Sequence, residues 1–215
     1  MSKHILIVGA SRGIGLGLAQ EFKSRGWQVT GTERSRSDEL HELEGVDIAT
    51  LDVTDPSTFD IEGDFDAVII NAGITGAEHQ SSEKATSDEV AKVMMTNAFG
   101  PAHLGKKLLP QIKESGSLSF MSSLMGSIED SSGGYELYRT SKTAQNMLAK
   151  GIAEQDAKER GVAVLSLHPG WVQTDMGGPN AKITVEESAK GLADVVENAS
   201  PGYAYVDYTG KALPF

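Results

Sequence analysis

Cysteine is absent from the sequence. Its absence excludes disulfide bonds, thiolate metal sites and a cysteine nucleophile. Basic residues are scarce as well: 19 Lys and Arg stand against 30 Asp and Glu, a formal net charge of −11. A nucleic-acid surface needs clustered cations to displace counterions, and docking on an anionic membrane needs the same, so neither partner is expected. Long hydrophobic runs are missing too. The apolar stretch within MSKHILIVGA is too short for a signal-peptide core or a membrane span, so a cytoplasmic protein is expected. No His, Asp and Glu residues show metal-ligand spacing, and no repeat or linker-like change of composition divides the chain. At 215 residues and 39% hydrophobic content, it suits one domain with a large core.

What is present is alternation. Short apolar runs at 4–8, 28–32, 47–51, 67–71, 117–122, 163–168 and 203–206 are separated by helical periodicity near 14–25, 88–109, 139–159 and 185–198. Runs that are apolar on consecutive residues suit strands covered on both faces. Strand–helix alternation implies right-handed crossovers. The expected fold is therefore α/β: a single-domain, doubly wound Rossmann fold with about seven parallel strands and helices on both faces. Such sheets bind ligands beyond the carboxyl ends of their strands, which is where chemistry is to be sought.

GASRGIGLG follows the first strand. Gly9, Gly13 and Gly15, with Ser11, Arg12 and Ile14 between them, make a turn that leads into a helix. Glycines let the backbone turn sharply and approach a pyrophosphate, whose charge then faces the helix N-terminus. A glycine triplet alone is a weak signal, and its position between the first strand and the first helix strengthens it. The second strand runs into ERSR. There Glu33 suits a ribose 2′-hydroxyl, as in NAD(H), whereas Arg34 together with Arg12 suits the 2′-phosphate of NADP(H). Two arginines from separate segments outweigh one glutamate, so NADP(H) is preferred, with NAD(H) the alternative. Asp52 and Val53, after the third strand, are candidates to border the adenine; Asp52 could instead cap the following turn.

GGYELYRTSK holds two tyrosines, but only Tyr138 has a lysine, Lys142, at i,i+4. Positions four apart share a helix face. A phenol with an ordinary pKa of about 10 is a poor acid–base group near neutrality. A neighbouring ammonium is expected to draw that value down. Tyr135, paired only with Arg139, is expected to line a pocket or pack.

The glycine turn, INAG at 70–73, Asn97, the serines before YRTSK, and HPGWVQTDM occur in one order along nearly the whole chain. In this it resembles the short-chain dehydrogenase/reductase family. SSLMGSIEDSSGGYELYRTSK and the ending YVDYTGKALPF are similar to the C-factor and sniffer-like carbonyl reductase branch. The resemblance implies hydride transfer between a nicotinamide and a carbonyl or alcohol carbon of a small molecule. It implies a catalytic set of Asn97, Ser123, Tyr138 and Lys142. Asn71, Ala72 and Gly73 would line the cofactor, with Lys142 on the nicotinamide ribose and Asn97 supporting a relay water. Pro169 and Gly170 would shape the turn beside the nicotinamide, the Val172 amide would meet its carboxamide, and Thr174 would bond that group or the phosphates. Ser123 lies fifteen residues before Tyr138, more than is usual in the family, which leaves Ser122 as an alternative; strand alternation lets only one of them face the site. The family often forms homodimers or homotetramers. A cofactor-binding signalling protein of C-factor type, and a dehydratase or epimerase on the same scaffold, are the competing readings. His168 reads as a structural histidine, and Trp171 as pocket wall or core.

Overall fold

The computed structural model describes residues 2–215. Seven strands form one parallel sheet: β1 (His4–Val8), β2 (Gln28–Glu33), β3 (Val46–Thr50), β4 (Phe65–Ile70), β5 (Ile112–Met121), β6 (Ala163–His168) and β7 (Gly202–Asp207). Their spatial order is β3-β2-β1-β4-β5-β6-β7, the doubly wound Rossmann arrangement expected from the alternation. The order reverses between β1 and β4, and a crevice opens at their carboxyl ends.

Alternation along each strand sorts the core into two layers. Leu6, Val8, Val68, Ile70, Leu118 and Phe120 face one side. There they meet α4 (Gly100–Leu108) and α5 (Glu136–Ile152) through Leu104, Leu108, Ala149 and Ile152. Ile5, Ile7, Ala67, Ile69, Leu165 and Leu167 face the other side. They meet α1 (Gly13–Ser24) and α6 (Val185–Glu197) through Leu18, Phe22, Ala189 and Leu192. Burying a side chain such as Phe22 or Phe120 contributes roughly 1.5–3 kcal/mol, and both are fully buried.

Three departures from the sequence pattern bear on the site. The stretch 88–109 is not one helix: α3 (Ser87–Met94) passes through a π-helical turn, Met95–Phe99, before α4. The Gly100 N–H reaches back five residues to the Met95 carbonyl. Pro101 has no N–H to offer the Asn97 carbonyl four residues earlier, which is why the ladder shifts at this point. Strand β5 begins at Ile112, earlier than its apolar run. It carries a register shift between the Phe65–Ile112 and Ala67–Ser117 pairs, with Ser115 left-handed (φ 60°). Finally, β2 runs one residue further than expected and takes Glu33 into the sheet, followed by a short helix, α2 (Asp38–His41), that no periodicity announced.

Candidate active site and cofactor cleft

The glycine turn lies at the carboxyl end of β1. Gly9 (φ +84°) and Gly13 (φ +53°) are left-handed, where a Cβ is costly. Gly15 is held by space instead: a Cβ there would lie 2.0 Å from the Gly9 carbonyl oxygen. That carbonyl accepts from Asn71 Nδ2 at 2.9 Å, and the Asn71 N–H donates to Val8 at 2.9 Å. Asn71 thus braces the turn rather than projecting from it, and Ala72 packs against the core beside it. Arg12 is the N-cap residue of α1 but gives it no side-chain cap, and no acid stands in the first turn. The helix N-terminus is open to an anion. Ile14 packs against the α1–α6 layer, and the Ser11 carbonyl accepts from Ser37 Oγ at 2.6 Å.

Beyond β2 the two kinds of charge are separated. Glu33 is 7% exposed. Its carboxylate accepts from the Ser37 N–H at 2.7 Å and lies 2.9 Å from His41 Nε2. Burial raises its pKa, but the His41 and Ser37 bonds outweigh burial and hold it below the ordinary value. The carboxylate expected to meet a ribose therefore faces inward, because the extra residue of β2 and the Ser37-capped α2 enclose it. Arg34 is exposed and has no ion-pair partner among the described residues. Arg12 pairs with Asp175 across the cleft mouth, both largely exposed. Asp52 accepts from the N–H and hydroxyl of Thr54 at 2.8 and 2.7 Å, so its side chain caps the local turn. Val53 lies in the core, and its carbonyl would clash with any Cβ on Gly100.

At the centre of the crevice four elements converge. Asn97, fully buried in the π-helical turn, accepts from the Ile74 N–H at 2.8 Å. It donates to the Ile74 carbonyl at 2.7 Å and to Ser141 Oγ at 3.0 Å. Ser141 donates in turn to the Tyr138 carbonyl at 2.7 Å. A Cβ on Gly73 would stand 3.4 Å from both Asn97 Oδ1 and Lys142 Nζ, so the N-A-G turn reaches this centre. Lys142 is 3% exposed. Its amine donates to the Met121 carbonyl at 2.7 Å and to Gln145 Oε1 at 3.4 Å.

The two serines diverge as strand alternation requires. Ser122 donates to Asn146 Oδ1 at 2.6 Å and points into the interior. Ser123 Oγ accepts from the Met125 N–H at 3.2 Å and lies on the Tyr138 side, where it opposes the upward shift of the phenol. With one lone pair of Ser123 engaged, its O–H hydrogen is available to an oxygen in the cleft.

The electrostatics differ from expectation. Burial raises the Tyr138 pKa and Ser123 only partly offsets this. Burial also lowers Lys142 from 10.5 to about 7. The amine lies 5.8 Å from the centroid of the Tyr138 ring, over its face. The expected draw of an ammonium on the phenol is thus not found in this arrangement, because desolvation penalises both charges together.

After β6, Pro169 accepts from Ser188 Oγ at 2.7 Å, and Gly170 is left-handed (φ +85°). Val172 bridges to Ile183 through the Trp171 carbonyl and the Gln173 N–H, which turns the amide of Val172 itself to the opposite side. Thr174 Cγ2 would lie 3.3 Å from a Cβ on Gly13; the segment closes over the glycine turn. His168 is pushed by burial to about 4, with Asp207 opposing, and is neutral. Trp171, half exposed, donates from Nε1 to the Gly177 carbonyl at 2.8 Å, and Tyr135 is 61% exposed; neither is core.

Two residues escaped the sequence pattern. The Tyr205 hydroxyl donates to the Ser123 carbonyl, and the β7 alternation that puts Tyr203 and Tyr205 on one face was the available signal. Gln80 sits against the start of α5, and nothing in its polar loop marked it.

The left-handed glycines, the open helix N-terminus, the free Arg34 and the buried amine beside Gly73 fit a dinucleotide laid across the switch point. Among the described residues no group of His, Asp and Glu could hold a metal ion, and no helix is long and apolar enough to cross a membrane.

The short chain dehydrogenase family model matches residues 3–183. C-signal of Myxococcus xanthus is 33% identical over 158 residues, covering 71% of this chain and 94% of that protein. A carbonyl reductase of Pseudomonas aeruginosa, solved in complex with NADP, superposes with a TM-score of 0.91 at 36% identity over the whole of both chains. Carbonyl reductase Sniffer of D. melanogaster does so with a TM-score of 0.91 at 28% identity, again over both whole chains.

Proposed function

The chain belongs to the short-chain dehydrogenase family, and from that premise we propose that it reduces a small carbonyl compound to the alcohol with NADPH, Tyr138 acting as general acid. Bound nicotinamide would supply or accept the hydride. Tyr138 gives its proton to the oxygen as charge develops there, and takes it back in the reverse direction. Ser123 donates its hydroxyl hydrogen to the same oxygen, stabilising that charge in a site shielded from water. Lys142 would bond the nicotinamide ribose through its buried amine. Asn97 keeps the loop at Ile74 against α5.

The observation that carries this reading is the convergence of Tyr138 and Lys142 on one face of α5, the amine 5.8 Å from the phenol ring centroid and 3.4 Å from where a Cβ on Gly73 would stand. NADP(H) is preferred over NAD(H) because Arg34 is free while Glu33 is bonded inward; the P. aeruginosa relative carries NADP. The same reading makes the chain one cytoplasmic NAD(P)-binding domain. It forms a homodimer or homotetramer, for which the exposed Phe99 and Met147 on the helical layer offer apolar surface.

NADPH oxidation against a panel of aldehydes and ketones tests the reading, with Tyr138→Phe as the control. Turnover by the wild type, lost by at least about 10³-fold in the variant, supports it. Tight NADPH binding without turnover on any carbonyl would instead favour a signalling role, the reading that similarity to C-signal keeps alive.

A further inference from the structure

Helix α5 starts without a cap of its own. Its N-cap residue is Tyr135, left-handed at φ +48° and offering no side-chain bond to the helix. Gly133 and Gly134 before it are left-handed too. A helix start leaves its first N–H groups without partners, and Ser, Thr, Asp or Asn usually supplies one. Here the acceptors come from a different part of the chain. The Gln80 carbonyl accepts from the Leu137 N–H at 2.9 Å, and Gln80 Oε1 accepts from the Tyr138 N–H at 3.1 Å. The other end of the same amide, Nε2, donates to the Thr75 carbonyl at 2.9 Å and to that of Ala77 at 3.4 Å. Thr75 follows Ile74, the residue held at both backbone groups by Asn97.

We infer that Gln80 is a positioning residue for Tyr138: it caps the catalytic helix from outside and ties its first turn to the loop that follows the N-A-G turn. The inference rests on the catalytic reading of Tyr138 above. Tyr138 is the third residue of α5, within the turn that frays first when its N–H groups are orphaned. Fraying would carry the hydroxyl away from Ser123 without disturbing the glycine turn or Arg34. A nearby stitch, Glu136 accepting from the Ser82 N–H at 2.6 Å, joins the same two segments without touching Tyr138, and it serves as the control.

Three variants decide. Gln80→Leu removes acceptor and donor, Gln80→Glu keeps an acceptor oxygen, and Glu136→Gln weakens only the control stitch. Carbonyl-dependent NADPH oxidation and hydrogen exchange at the Tyr138 amide are measured for each. Gln80→Leu is expected to lower kcat about tenfold at unchanged KM for NADPH. Gln80→Glu, which keeps the acceptor for the Tyr138 N–H but loses the donor to Thr75 and Ala77, should recover part of that loss, and Glu136→Gln should stay within about twofold of wild type. Exchange at Tyr138 should accelerate in Gln80→Leu alone. Equal losses in Gln80→Leu and Glu136→Gln, or no recovery by Gln80→Glu, overturn the inference. Should Gln80→Leu fail to fold, Gln80→Asn, too short to reach, takes its place. If the wild type reduces no carbonyl, the catalytic reading falls; exchange then judges the cap by itself, and unchanged protection in Gln80→Leu refutes it.

Discussion

The Lys142 amine sits 2.7 Å from the Met121 carbonyl oxygen, so a cationic group on α5 is anchored to the last residue of β5 by a neutral acceptor. Burial lowers its pKa from 10.5 to about 7. Between those values the unfolded chain binds more protons than the folded one, so this group makes stability rise with pH across that window. Its penalty is fully present below about pH 7 and gone above about pH 10.5. Lys142→Met should therefore be more stable than wild type at pH 7, on the order of 3 kcal/mol, with the gap closing toward pH 10. Denaturant unfolding at the two pH values checks this.

Cofactor choice should follow the free arginine. Arg34→Ala is expected to raise KM for NADPH about tenfold and leave NADH unaffected, the loss of one charge-assisted bond to phosphate. Arg12→Ala should act in the same direction but more weakly, because Asp175 already engages that guanidinium. Steady-state kinetics with both cofactors measures the ratio.

Glu33→Gln should leave the NADPH-to-NADH ratio unchanged and cost roughly 1–3 kcal/mol of stability, because its buried bonds with Ser37 and His41 are weakened. Its folded pKa is depressed, so the stability it contributes is present above the ordinary carboxylate range and lost as pH falls through the folded value. Acid unfolding of Glu33→Gln, compared with wild type, should show a shallower loss. A changed cofactor ratio would contradict the inward placement.

The two adjacent serines should separate cleanly. Ser123→Ala is expected to lower kcat about 10²-fold, the loss of one donor to the developing oxyanion, with stability little changed. Ser122→Ala should leave the chemistry nearly intact and cost about 1–3 kcal/mol, since it strands Asn146 Oδ1 in the interior. Kinetics and thermal unfolding of the pair distinguish these outcomes.

Gly15→Ala should abolish dinucleotide binding and destabilise the fold. Its Cβ would stand 2.0 Å from the Gly9 carbonyl and 2.7 Å from Asn71 Nδ2, forcing the turn and its brace apart. Fluorescence titration with NADPH, beside a melting curve, reads both effects.

Much of the architecture was legible from pattern alone. Runs such as ILIV at 5–8 and AVII at 67–70 are apolar on consecutive residues, which suits only a strand covered on both faces, and helical periodicity between them forces a parallel sheet with its ligand crevice at the carboxyl ends. The glycine turn and the Tyr138–Lys142 spacing were equally readable, because close backbone approach and a shared helix face depend on residue type and interval. Residues whose hydrogen-bond partners lie far along the chain were not readable in this way. Gln80 meets Tyr138 across 58 positions, and Tyr205 meets Ser123 across 82; a lone Gln has no local signature, and the β7 alternation marks the face of Tyr205 but not its partner.

The sequence by itself therefore determined the fold, the family and the carboxyl-end crevice in which a dinucleotide is to be sought. Tertiary structure alone decided the direction in which shared groups point. It turned Glu33 inward by adding one residue to β2, and it decided which of the two alternating serines faces the interior, Ser122, and which the cleft, Ser123. It also set the charges of Tyr138 and Lys142, since a pKa depends on burial and on neighbours that fold in from elsewhere in the chain. Pattern follows from short-range sterics and periodicity, whereas orientation and protonation follow from contacts that exist only once the chain has closed.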